Sequence, residues 1–100
     1  MILTVFRSRI KEEARAEYAE LASKIAALAE TMPGFISRKA YVAEDGEKLT
    51  LVEFEDEESQ RLWSMNVEHL AAKEIGRERF YSEYSVQICT VMRASRYVAP

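Results

Sequence analysis

The chain has 100 residues, 48% of them hydrophobic and 31% charged, with only 3 glycines and 2 prolines. That composition belongs to one globular domain spanning residues 1–100 and excludes a disordered, collagenous or two-domain chain. Fourteen Lys and Arg against seventeen Asp and Glu leave a formal net charge of -3, without the basic excess that nucleic acid or an anionic membrane surface asks of a partner. The single cysteine, Cys89, excludes an internal disulfide framework and a thiolate zinc site, which fits a reducing compartment, the cytoplasm by default. No apolar run approaches the roughly 20 residues that span a bilayer.

The apolar start from Met1 to Phe6 meets Arg7 and Arg9 at once and reads as a strand, Ile2 to Ile10, rather than a leader peptide. Ile2, Thr4, Phe6, Ser8 and Ile10 fall on one face of it, Leu3, Val5, Arg7 and Arg9 on the other. From Glu12 the period changes. Tyr18, Leu21, Ala22, Ile25, Leu28, Ala29 and Met32 form one apolar stripe at helical spacing, and Pro33-Gly34 stops it. Phe35 to Ala43 and Lys48 to Glu55 read as a hairpin about Glu44-Asp45-Gly46-Glu47, whose Asp-Gly pair suits a tight turn. Asp56 is placed to cap a second helical region with Glu57 and Glu58 in its first turn, continuing in pieces to about Tyr81, with an interruption expected at Gly76. Tyr84 to Met92 alternates again as a fourth strand.

The order β-α-β-β-α-β predicts an α+β, ferredoxin-like fold, a four-stranded antiparallel sheet with both helices on one face. Both sides of the first and last strands are apolar: Leu3 and Val5 oppose Ile2 and Phe6, while Cys89 and Val91 oppose Val86 and Ile88. A solvated face reads as regularly polar, so the open face is expected to pack on a second copy of the chain, giving a homodimer with facing sheets. The alternative is a monomer whose residues 94–100 fold back over the sheet.

The chemical lead is Trp63-x-x-Asn66-x-x-His69, which holds the only Trp and the only His. On one straight helix Trp63 and His69 point about 120° apart. A break near Asn66, itself a good N-cap, lets both converge on the space between helix and sheet. Two plainer readings stand beside this one. Trp63 with Val67 and Leu70 has the spacing of a core stripe, and a single His on a charged helix is often a solvated side chain.

Trp63-x-x-Asn66-x-Glu68-His69, followed by Gly76-Arg77-x-x-Phe80-Tyr81-x-x-Tyr84 and a final strand ending in Arg93, resembles the antibiotic biosynthesis monooxygenase (ABM) domain family. The likeness also takes in Met32-Pro33-Gly34-Phe35 and the acidic hairpin. The resemblance implies a ferredoxin-like subunit pairing into a dimeric α+β barrel, with a pocket between helices and sheet in each subunit. It further implies oxygenation of a planar aromatic phenol or quinol with no flavin or metal cofactor. His69 would then be the base that takes the phenolic proton, Trp63 a stacking platform, and Asn66 a holder of a phenol oxygen or peroxy intermediate, with Arg77, Tyr81 and Tyr84 around the substrate. The competing reading is a non-catalytic dimeric module that binds a small aromatic ligand. Haem breakdown, the activity of a related branch, ranks lower, because the first strand has no Asn and His69 lies closer to Trp63 than that branch's pattern expects.

Overall fold

A computed structural model describes residues 1–100. The elements are β1 (Ile2–Ile10), a 3-10 turn (Glu12–Ala14), α1 (Arg15–Glu30), β2 (Phe35–Val42), β3 (Lys48–Phe54), α2 (Glu57–Ser64), α3 (Val67–Ile75), a π-helical turn (Gly76–Phe80) and β4 (Tyr81–Thr90). The strands form one antiparallel sheet in the order β2-β3-β1-β4, the expected ferredoxin-like arrangement. No helix is long and apolar enough to cross a membrane.

Register decides what each face carries, because directly opposed residues of paired strands point the same way. Thr4 stands between Val52 and Ile88, and Phe6 between Thr50 and Val86, on the helix side. On the reverse, Val5 stands between Leu51 and Gln87, and Leu3 between Glu53 and Cys89. Leu3, Val5, Leu49, Leu51 and Cys89 are only half-buried there. Residues 91–100 form no regular element, and their Met92, Tyr97 and Val98 are largely exposed. The tail therefore does not bury its apolar side chains on that face.

Local chemistry sets the element ends. The Thr31 hydroxyl donates to the Leu28 carbonyl at 2.7 Å as α1 closes, and Gly34 then takes φ 76°, a left-handed conformation that costs other residues about 1–2 kcal/mol. The hairpin turns on Gly46 at φ 90°, and Asp45 accepts from the Glu47 amide at 3.1 Å. Arg9 reaches across from β1 and donates to the Asp45 carboxylate at 2.8 Å. Asp56 caps α2, accepting from the Ser59 amide at 2.8 Å. That bond is the main reason its carboxyl lies below the usual carboxylate range.

Two boundaries differ in character or position from the sequence expectation. The α-helix does end at Gly76, where the π turn starts, but as a widening rather than a break, since the φ of -59° and ψ of -45° at Gly76 are helical. A Cβ at Gly76 would come within 2.6 Å of the Tyr81 ring, so the glycine serves a close approach rather than a break. Phe80, 2% exposed, then anchors the turn, and its carbonyl accepts from the Lys11 amide at 2.7 Å. This lets β4 begin at Tyr81, opposite Ile10, ahead of the expected Tyr84.

Dense packing lies at two ends of the layer between helices and sheet. At one end Ala29, Val52, Phe54 and Trp63 form the buried core, flanked by Ile25, Leu28, Met32 and Phe35. At the other, Tyr18 meets Phe80 and Tyr81 edge-on with ring centroids 6.0 and 5.9 Å apart, and Phe6 meets Tyr81 and Tyr84. The middle is left open.

Gly34 also packs directly against Ser59 of α2, where an added Cβ would collide with the hydroxyl. Gly34→Ala should lower the unfolding free energy by about 2–4 kcal/mol, combining left-handed strain with overpacking. Gly46→Ala, with open space around it, should cost only about 1–2 kcal/mol. Urea denaturation of both variants checks the contrast.

Candidate functional site

The second helical region breaks where the sequence places its best cap. α2 ends at Ser64 and α3 starts at Val67. Between them Asn66 adopts φ -58° and ψ 130°, and its Oδ1 accepts from the His69 amide at 3.1 Å. Because the axis changes direction there, the rings of Trp63 and His69 stack at 4.1 Å between centroids with a 12° interplanar angle. A continuous helix would hold them apart.

The same break fixes the imidazole tautomer. His69 Nδ1 lies 3.0 Å from the Trp63 carbonyl oxygen. A carbonyl can only accept, so Nδ1 carries the proton and Nε2 keeps its lone pair. Burial pushes the His69 pKa below its ordinary value and the Lys73 ammonium adds to this, while the Trp63 carbonyl acts the other way. The ring therefore favours its neutral form, with Nε2 available to take a proton.

His69 and Trp63 share one wall of a cavity of about 460 Å³ between the helices and the sheet, a volume within the range of small-molecule sites. Leu21, Ala22 and Ile25 of α1 form another wall, Thr4, Phe6, Val52, Val86 and Ile88 the sheet side, and Tyr18, Phe80, Tyr81 and Tyr84 the aromatic end. Val86 and Ile88 remain 49% exposed although they point to the helix side, because α3 leans on α1 rather than covering β4. The Thr4 hydroxyl is buried with no partner in the chain and is free to donate to a ligand oxygen.

Five of the six residues singled out from the sequence line this space: Trp63, His69, Arg77, Tyr81 and Tyr84. Burial, with Tyr18 beside it, raises the Tyr81 phenol pKa well above its ordinary value, so it stays a neutral hydroxyl. Asn66 is not on the wall. Its Oδ1 caps α3, and its amide nitrogen faces the Met32 sulfur at 3.8 Å. Sequence reasoning missed Arg38, Lys73, Thr50 and Gln60, which also line the cavity. Two signals were readable: Arg38 lies opposite Val52, in phase with the inward side of its strand, and Lys73 follows His69 by one helical turn.

The lowered His69 pKa carries a stability consequence of definite sign. Between the folded pKa and 6.5 the unfolded chain binds more protons, so stability rises with pH across that window and is lost as pH falls through it. The His69 ring protons, followed by NMR, should titrate below pH 6.5. His69→Gln should flatten the stability profile there; a midpoint at or above 6.5 contradicts the assignment.

Comparison with known proteins bears on the family and the fold. Residues 1–75 match the family model for antibiotic biosynthesis monooxygenase. The uncharacterized protein YqjZ of Bacillus subtilis is 33% identical over 89 residues, covering 89% of this chain and 78% of that protein. Among solved structures, Rv0793 of Mycobacterium tuberculosis superimposes with a TM-score of 0.84 at 14% identity, over 95% of this chain and 98% of its own. SnoaB of Streptomyces nogalater, a cofactor-independent oxygenase, does so with a TM-score of 0.78 at 18% identity, over 93% and 94%. At these identities the structural likenesses establish the fold.

Proposed function

The chain belongs to the antibiotic biosynthesis monooxygenase family, and we propose that it oxygenates a planar aromatic phenol or quinol without a cofactor, with His69 as the base. The observation that carries the proposal is an imidazole, held through Nδ1 by the Trp63 carbonyl, on the wall of an aromatic-lined cavity. SnoaB supplies a precedent on this fold.

Nε2 of His69 takes the phenolic proton. The resulting anion is electron-rich at its ring carbons and passes an electron to dioxygen; the two radicals join as a carbon–oxygen bond. Loss of the ring hydrogen and cleavage of the O–O bond leave one oxygen on the ring as a quinone carbonyl and release the other as water. The substrate supplies all four electrons. A planar ring bound against Val52, Val86 and Ile88 would itself cover these apolar walls and shield the charged intermediates from protonation. Trp63, with one face taken by His69, holds the base in plane. Asn66 acts as a positioning residue, since its cap sets where α3 and therefore His69 begin.

His69→Ala should lower kcat about 10²–10⁴-fold, read as oxygen uptake by metal- and flavin-free protein with anthrones or naphthols, with circular dichroism unchanged. Asn66→Ala should weaken both stability, by about 1 kcal/mol, and turnover, and Asn66→Asp, which keeps the cap, should restore both. Ligand-dependent quenching of Trp63 with no oxygen uptake from any such substrate favours the binding-module reading instead.

The homodimer belongs to the same proposal. Leu3, Val5, Leu49 and Leu51 stand on a sheet face that no helix and no tail covers, and each wet aliphatic side chain forfeits up to about 1.5–3 kcal/mol. A second sheet is the occupant of matching shape and polarity. Sedimentation should give a dimer at micromolar concentration, and Leu51→Glu, at the centre of that face, should shift it to monomer; a monomeric parent protein refutes the pairing.

A further inference from the structure

We infer that the cavity selects a substrate bearing a permanent acid group, a planar aromatic carboxylate or an equivalent monoanion, whose charge is held by Lys73 and Arg77. The inference deepens the oxygenase reading, since it takes the same cavity as the substrate site.

The charge distribution carries it. The chain has 17 Asp and Glu against 14 Lys and Arg, yet no carboxylate lines the cavity, whereas Arg38, Lys73 and Arg77 do. Of the cations outside the cavity, five are paired, Arg7, Arg9, Arg15, Arg61 and Arg79, each within 3.3 Å of a carboxylate, while Lys11, Lys24, Lys39, Lys48, Arg93 and Arg96 form no ion pair and do not line it. The three in the cavity form no ion pair at all. Lys73 and Arg77 also stand close enough to repel, since Arg77 adds to the burial that depresses the Lys73 ammonium. Like charges brought together beside apolar walls, with the chain's own carboxylates kept away, cost free energy that an arriving anion recovers.

Spacing adds the shape of the ligand. His69, Lys73 and Arg77 follow one another at four-residue steps along α3 and the π turn, or about 6 Å per step. A molecule reaching from the base to the cations is therefore about two to three fused rings long, with its reacting oxygen at one end and its acid at the other. Val52, Val86 and Ile88 offer the flat apolar floor between them.

Anthraquinone-2-carboxylate and the shape-matched anthraquinone-2-carboxamide test this. Neither has a phenolic proton to lose, so binding is read apart from catalysis through the emission of Trp63, the only Trp. The acid should bind at least about 10-fold tighter than the amide at low ionic strength, and added salt should narrow the gap. Lys73→Met and Arg77→Met should each reduce the preference and the double variant should abolish it. Arg79→Met, which removes a cation already paired to Glu17, should leave it intact. Equal binding of acid and amide, or a preference that survives the double variant, overturns the inference. The oxygen-uptake assay is independent of this result: acid-selective binding without turnover removes the oxygenase reading and leaves the anion site standing.

Discussion

The interaction on which the site depends is the double use of the backbone around Asn66. Its side chain satisfies the His69 amide while the Trp63 carbonyl, which accepts from the Asn66 amide at 3.1 Å where α2 ends, also binds His69 Nδ1. Remove the break and the imidazole lies on another side of the helix, without its carbonyl partner and without the stack on Trp63. A capping bond of about 1 kcal/mol thus controls the direction, tautomer and charge state of the one imidazole in the chain. The cost of burying a polar ring is met locally: one nitrogen is bonded to the backbone, one face covers an indole, and the other nitrogen remains for a ligand.

The rest of the fold leaves that nitrogen something to face. Phe54, Trp63 and Ala29 pack one end tightly, and Phe80 with Tyr18 and Tyr81 packs the other, so the span between them holds a cavity without collapsing. Gly34 and Gly76 serve the two ends in the same way. Each lets a neighbouring element approach where a Cβ would stand, α2 through Ser59 in the first case and the Tyr81 ring in the second. Small residues are used where elements must come close, and aromatic rings where the walls must stay apart.

Much of this was legible in the sequence because it rests on period and capping, which are local. The stripe from Tyr18 to Met32, the Asp45-Gly46 turn, the Asp56 cap and the break at Asn66 are each written in adjacent residues, and each appears in the structure. Gly76 marks the end of the α-helix as expected, but a glycine in a helix reads as a break, while its reason here lies in a ring that only the folded chain brings beside it. Arg38 was missed for a related cause. Its inward phase is readable only after the bulge near Ile36 sets the β2 register, and a cation pointing inward contradicts the usual reading of a strand. Asn66 was placed correctly on the chain, but its amide is committed to α3 and Met32 rather than to the cavity, a distinction that spacing does not hold.

The electrostatics of the cavity bear on the chemistry as well as on recognition. In the proposed reaction a phenol near pKa 10 would give its proton to an imidazole below 6.5, an uphill transfer of at least about 5 kcal/mol. A stronger base would shorten that climb, but here burial and Lys73 weaken the base instead. The compensation must come from the phenolate, and a carboxylate-free lining with three unpaired cations is an environment that stabilises it. The proposed monoacid would cancel one of those charges and a phenolate a second, which would keep the cavity neutral or positive throughout proton loss. The field that weakens the base also strengthens the acid, because Lys73 opposes a proton on His69 and favours its absence from the substrate oxygen.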